Sequence, residues 1–293
     1  MKKLEGVWPA IVTPLARDGS VDHDALATFC GWMIDEGVTG LVACGTTGEG
    51  ATMDEEETLA ITRTVTAAAD GRVPVIVGTG SNDTRRSVQL TEKVAALGVE
   101  AALVVTPYYN KPNADGLELH YRAVAEVGLP VVLYNVPGRT GTDMSREVIV
   151  RLAALEGVVA IKDASRSMEK AMELRDQLGP DFSLLSGDDF TILPFLACGG
   201  DGVISVIANV APRQTVALVK AFQAGELEQA RRLQTALLPL IGTLFLEANP
   251  IPVKGLLAEL GRMGPTLRAP LAPASAKTLA AARAAYDALE ETA

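Results

Sequence analysis

Residues 157–164 read Gly157-Val158-Val159-Ala160-Ile161-Lys162-Asp163-Ala164, and the run from Val158 to Ile161 is apolar and rich in β-branched side chains. A strand covered on both faces, as in a parallel sheet, shows such an unbroken run rather than an alternation. Lys162 therefore stands at the strand's exit. An amine held at the mouth of an apolar strand loses hydration, which favours its neutral form, the form that attacks a carbonyl. The plainer alternative is a strand-end lysine that points its head at water. The company Lys162 keeps along the rest of the chain decides between the two.

Comparable runs recur. Strands are expected at Val7 to Val12, Gly40 to Cys44, Val75 to Gly78, Ala101 to Val105, Val131 to Asn135, Val158 to Lys162, Phe182 to Ser186 and Gly202 to Ser205. Between them lie amphipathic stretches with helix-start residues: Asp22 ahead of Ala25 to Glu36, Asp54 ahead of Glu55 to Ala69, Ser145 ahead of Arg146 to Leu155. Eight strands with as many helices point to an α/β fold, a (β/α)8 TIM barrel, rather than an open doubly wound sheet. The barrel is expected over residues 1–224, closed by a helix from Pro212 to Ala224. Helices at Leu227 to Leu246, Pro252 to Leu260 and Ala276 to Glu290 then form a C-terminal helical extension over residues 225–293, packed on the barrel without a Pro/Ser-rich linker.

Composition narrows the function. The 293 residues are 48% hydrophobic and carry 36 acidic against 26 basic side chains, a net charge of −10 that disfavours nucleic acid as a partner. The longest uncharged apolar stretch, Leu237 to Leu246, holds Pro239 and Gly242 and falls short of the ~20 residues of a membrane span. It reads as a buried helix. Met1-Lys2-Lys3 leads into Leu4-Glu5 and a short apolar run broken by Pro9, which is no secretory core, so a cytoplasmic protein is expected. Cys30, Cys44 and Cys198 form no CxxC pair and read as core thiols. His23 and His120 lack metal-binding spacing and read as helix-surface residues. Neither a metal nor a cofactor is expected.

In such a barrel the chemistry sits where the βα loops leave the strands' C-terminal ends. The second strand runs into Gly45-Thr46-Thr47-Gly48-Glu49, the fourth into Thr106-Pro107-Tyr108-Tyr109-Asn110, and the fifth into Tyr134-Asn135-Val136-Pro137-Gly138-Arg139-Thr140-Gly141. The sixth delivers Lys162, the seventh Ser186-Gly187-Asp188-Asp189, the eighth Ile204-Ser205. The Gly-Thr-Thr-Gly turn offers hydroxyls and backbone N–H groups to a carboxylate or oxyanion. Phosphate is the competing ligand, but neither GxGxxG nor a Walker loop is present. Tyr134 places a phenol where it can move protons to and from a lysine adduct. Arg139, on a Pro-Gly turn, suits bidentate capture of a carboxylate. Taken singly, each has a plain counterpart: a β-α turn, a packing tyrosine, a surface arginine.

Taken together, these stretches resemble the dihydrodipicolinate synthase family of the pyruvate-dependent class I aldolases. The resemblance runs from Val7-Trp8-Pro9-Ala10-Ile11-Val12-Thr13-Pro14 through Gly202-Val203-Ile204-Ser205 to Asn249-Pro250-Ile251-Pro252-Val253-Lys254. The Gly-Thr-Thr-Gly-Glu turn, the strand-five tyrosine and the Ile-Lys pair are shared across the superfamily. The stretches Val105 to Asn110 and Asn135 to Gly141 are more specific to this family.

The resemblance implies a Schiff-base lyase that condenses pyruvate with L-aspartate 4-semialdehyde to 4-hydroxy-tetrahydrodipicolinate, towards lysine and diaminopimelate. It implies that Lys162 forms the imine, and that Tyr134 relays protons with Thr46 and with Tyr109, the last reaching in from a neighbouring subunit of a homotetramer. Thr47 would hold the pyruvate carboxylate, Gly187 and Ile204 would line the pocket, and Arg139 would receive the semialdehyde's carboxylate. Two other readings stand beside it. One is a different pyruvate aldolase or dehydratase, similar to N-acetylneuraminate lyase or a 2-keto-3-deoxy sugar acid aldolase, members that usually lack the arginine. The other is a non-catalytic ligand-sensing barrel, which would lack Lys162 or its relay. Lysine inhibits some relatives between subunits; at the matching positions this chain keeps Ala51, Asn82 and Tyr108 but carries Gly50, Glu55, Thr58 and Arg86, so weak or absent inhibition is expected.

Overall fold

The computed structural model describes residues 3–292, so Met1 and Lys2, where the N-terminal reading began, and Ala293 lie outside the described residues. The strands are β1 (Gly6–Pro9), β2 (Leu41–Ala43), β3 (Val75–Gly78), β4 (Ala101–Val105), β5 (Val131–Asn135), β6 (Val158–Asp163), β7 (Ser183–Ser186) and β8 (Gly202–Ser205). All pair in parallel in one eight-stranded sheet, in the order β1-β8-β7-β6-β5-β4-β3-β2. A parallel bridge between Ala10 and Val42 draws β1 and β2 together, so the sheet closes into the expected (β/α)8 barrel. Alternation explains the unbroken apolar runs. Trp8, Val42, Ile76, Leu103, Val132, Ala160, Leu185 and Ile204 fill the barrel's inside. Their neighbours Val7, Leu41, Val77, Val104, Leu133, Ile161, Leu184 and Val203 meet the helices outside.

The helices are α1 (His23–Asp35), α2 (Glu55–Ala69), α3 (Thr84–Ala95), α4 (Ala114–Ala125), the single turn α5 (Pro137–Thr140), α6 (Arg146–Ala153), α7 (Met168–Leu178), α8 (Ile192–Ala197) and α9 (Pro212–Gln223). After them come α10 (Leu227–Leu244), α11 (Ile251–Glu259) and α12 (Ala276–Thr292). The three caps read from sequence are in place. Asp22 accepts from the N–H of Ala25, Asp54 forms a capping box with Glu57, and Ser145 accepts from Val148. Each contributes about 1 kcal/mol. No helix among the described residues is long and apolar enough to cross a membrane.

Several expectations change. β1 stops at Pro9 rather than Val12, because Asn209 accepts the N–H of Val12 at 3.0 Å and takes that backbone out of the ladder. His120 is buried, not on the helix surface: Thr84 Oγ1 sits 3.0 Å from its Nδ1, and burial pushes its pKa down to about 4. Cys198 is half-buried, whereas Cys30 and Cys44 are core thiols raised to about 12 by burial. The stretch Leu237 to Leu246 covers the end of α10 and the turn after it, and is amphipathic rather than buried all round. Leu237, Leu240, Ile241 and Leu244 face the core while Leu238 and Leu246 stay exposed.

Candidate active site

Tyr134 and Lys162 are paired across β5 and β6, on the side that faces the barrel's inside. Their backbones share a register step, so their side chains leave the sheet together. Lys162 is 5% exposed and its Nζ lies 4.2 Å from the centre of the Tyr134 ring, within reach of a cation–π contact. A Cβ on Gly187 would stand 3.1 Å from both Cγ and Cε of Lys162, so the glycine leaves the lysine stem its room. Ile204, on β8, is buried in the same interior cluster. Asp163 points the other way: it accepts from Asn135 Nδ2 at 2.8 Å and from Ser165 Oγ at 2.7 Å, which ties the ends of β5 and β6 behind the lysine.

At the end of β2 the chain turns sharply. Cys44 takes a φ of 54°, and its carbonyl oxygen would meet a Cβ on Gly50 at 2.2 Å, which is why the turn needs glycine there. Thr47 is buried and Thr46 half-buried on this turn. Glu49 ends the turn at a φ of 55° with its carboxylate buried, one oxygen 2.5 Å from Lys254 Nζ and the other accepting from the Arg268 N–H at 2.9 Å. Burial pulls the Lys254 ammonium down and its bond to Glu49 holds it up. The turn is thus braced by the C-terminal helices. Asn249, just ahead of α11, donates through Nδ2 to Thr47 Oγ1 at 2.9 Å, and its main-chain carbonyl accepts from Arg139 Nη2 at 3.1 Å.

The β7 and β8 loops are fastened to each other by Asp189. One of its carboxylate oxygens accepts from the N–H groups of Val206 at 3.0 Å and Ile207 at 2.8 Å, and burial pushes its pKa up to about 6. Asp188 beside it pairs with Arg166 at 2.8 Å. The mouth, by contrast, is open. Arg139 stands exposed on α5, and Tyr109 is 88% exposed at a φ of 74°, a backbone state that non-glycine residues seldom adopt. A floor of one buried amine, a phenol and a hydroxyl-bearing turn lies under a rim that carries a guanidinium. That arrangement suits carbonyl chemistry on a small keto acid.

The model of the family described as Dihydrodipicolinate synthetase matches residues 3–289. The chain belongs to this family. The 4-hydroxy-tetrahydrodipicolinate synthase of Anaeromyxobacter sp. (strain Fw109-5) is 48% identical over 287 residues, 97% of each chain. Among solved structures, the chloride-inhibited dihydrodipicolinate synthase of Acinetobacter baumannii, complexed with pyruvate, superposes with a TM-score of 0.95 at 41% identity, covering 98% of this chain and 99% of that one. Another, described as the first monomeric dihydrodipicolinate synthase variant, has a TM-score of 0.95 at 39% identity and covers 98% of this chain and 97% of its own.

Of the residues expected for a dihydrodipicolinate synthetase family member, the fold gathers Lys162, Tyr134, Gly187 and Ile204 in and around the barrel's interior, and sets Thr46 and Thr47 on the turn that leaves β2. Among the described residues no hydrogen bond joins the Tyr134 hydroxyl to Thr46, and Tyr109 stands out from its own chain's site. The sequence reading did not assign roles to Glu49, Lys254, Asn249, Asp163 or Asp189. Glu49 and Lys254 both lie in quoted motifs, yet they are 205 positions apart, and only the fold reveals them as partners.

Proposed function

We propose that the chain catalyses the condensation of pyruvate with L-aspartate 4-semialdehyde to 4-hydroxy-tetrahydrodipicolinate, the step that commits carbon to lysine and diaminopimelate. The observation that carries the reading is the buried Lys162 amine set over the Tyr134 ring at the C-terminal ends of β5 and β6. Lys162 attacks the pyruvate ketone carbon, and the carbinolamine loses water to give the imine, with Tyr134 giving and taking the protons. The imine withdraws electrons, the pyruvate methyl gives up a proton, and the resulting enamine attacks the aldehyde carbon. The amine of the semialdehyde then adds to the imine carbon, expels Lys162 and closes the ring. Thr47 holds the pyruvate carboxylate. Thr46 and Tyr109 extend the proton relay, Gly187 and Ile204 shape the pocket, and Arg139 takes the second carboxylate at the rim.

Arg139 favours this aldehyde over the sugar-acid substrates of related aldolases, because a charged rim group selects a charged partner. We also read the working form as a homotetramer in which Tyr109 completes a neighbouring subunit's site. Its exposure is consistent with that role.

Intact mass after borohydride reduction with pyruvate tests the chemistry directly. One reduced adduct per chain is expected, located on Lys162. It should be absent from Lys162→Ala and from Lys162→Arg, whose guanidinium stays protonated. Arg139→Ala should trap pyruvate like the parent while losing about 2–4 kcal/mol in use of the second substrate. Label on another lysine refutes the imine assignment, and an equal loss of trapping and turnover in Arg139→Ala refutes the rim assignment.

A further inference from the structure

Asn249 meets both carboxylate-binding groups, one through its side chain and the other through its main chain. Its amide Nδ2 donates to Thr47 Oγ1 at 2.9 Å in a buried contact, and its carbonyl accepts from the Arg139 guanidinium at 3.1 Å. The residue is 5% exposed, and its Oδ1 is buried with no hydrogen-bond partner in the protein. A buried acceptor left unpaired is costly, and such a group in a native fold calls for a reason. Here the reason lies at the amide's other end.

A threonine hydroxyl carries one proton and accepts through its lone pairs. Because the Asn249 amide occupies the accepting side of Thr47 Oγ1, the hydroxyl proton is directed elsewhere. Thr47 is 2% exposed and, among the described residues, its hydroxyl donates to no protein acceptor, so the proton is left free for a ligand. A donor fixed in advance towards an anion avoids reorientation when the anion arrives.

We propose that Asn249 is a positioning residue that holds the Thr47 hydroxyl as a donor to the pyruvate carboxylate. The proposal rests on Thr47 being the pyruvate-carboxylate group. It divides Asn249 into two functions: the side chain serves pyruvate, whereas the main-chain carbonyl, which any substitution keeps, steadies Arg139 for the aldehyde. It also makes the C-terminal segment that carries Asn249 a direct support of the barrel's site.

The test measures the half-saturating pyruvate concentration, by borohydride trapping and by turnover, in Thr47→Val, Asn249→Ala and the double variant, with aldehyde saturation measured in parallel. Asn249→Ala should raise the pyruvate value about tenfold, as the loss of one ordered hydrogen bond implies. The change should fall on pyruvate saturation rather than on turnover at saturation or on the aldehyde. In the Thr47→Val background the same substitution should add less than twofold, because the hydroxyl it orients is gone. The isosteric Asn249→Asp guards against a folding defect. Its carboxylate only accepts, so it draws the Thr47 proton towards itself and should raise the pyruvate value at least as far as alanine does.

A full tenfold effect of Asn249→Ala in the Thr47→Val background overturns the proposal. So does an unchanged pyruvate value in both Asn249 variants, or an equal loss for both substrates. If Thr47→Val itself leaves pyruvate saturation unchanged, the assignment of Thr47 fails first and takes the proposal with it.

Discussion

Lys162 and Asp163 are neighbours in sequence with opposite tasks. Strand alternation turns Lys162 into the barrel and Asp163 outward onto Asn135 and Ser165. That division was legible for Lys162 and Tyr134, since both end apolar runs and a parallel register sets them side by side. It was not legible for Asp189, whose partners Val206 and Ile207 belong to the next βα unit. Burial raises this carboxyl from 3.8 to about 6, with the charge of Asp188 adding to the shift and hydrogen bonds from Ser205, Val206 and Ile207 opposing it. The native state therefore keeps the proton over a range in which the unfolded chain has lost it. The sign follows: stability falls as pH rises from about 4 to about 6 and levels above that. Asp189→Asn removes the titration. Relative to the parent, it should gain on the order of 3 kcal/mol of unfolding free energy between pH 4 and pH 7. Denaturant unfolding at both values measures this, and a difference that does not vary with pH contradicts it.

At the scale of elements, β3, β4, β5 and β8 fall on the residues expected from sequence, because Gly, Pro or a polar turn bounds each apolar run. The C-terminal end of β1 moved because a distant side chain, Asn209, captures the Val12 N–H beyond it. The same limit hid the link between the Gly-Thr-Thr-Gly-Glu turn and α11. Lys254 and Glu49 are both fully buried, so each ion's desolvation is offset chiefly by the other, with the Arg268 N–H adding one hydrogen bond to the carboxylate. Lys254→Met strands the carboxylate and should cost about 3–5 kcal/mol in denaturant unfolding. Converting Glu49 to Leu in the same chain should restore most of that, since an apolar pair of similar volume carries no desolvation penalty. A loss below about 1 kcal/mol in the single variant would mean that water reaches the pair and screens it.

For the whole molecule, the question is what completes the site. Tyr109 is exposed on its own chain, so an assembly that shares it makes a clear expectation. Mixing inactive Tyr109→Phe with inactive Lys162→Ala should restore some activity in verified hybrid oligomers, and no recovery would return Tyr109 to its own subunit or deny it a role. At the positions that match the lysine site of inhibited relatives, the charges disfavour a dication. Arg86 stands with its side chain 78% exposed on α3, 3.9 Å from Asp83, and Glu55 pairs with Lys93, which leaves it a poor partner for a further cation. A guanidinium facing a dicationic ligand costs about 1–4 kcal/mol. A lysine titration should therefore show no half-inhibition below about 1 mM, equivalent to binding of about −4 kcal/mol; inhibition at lower concentration would refute the reading. The steep gradient from the buried Lys162, Tyr134 and Thr47 to the exposed Arg139 bears on inhibitor selectivity. On the proposed function, a compound that fills only the floor meets just the amine, phenol and hydroxyl turn, groups that the sequence resemblance extends to other pyruvate aldolases. Discrimination has to come from an anionic arm long enough to leave the floor and engage the guanidinium at the rim.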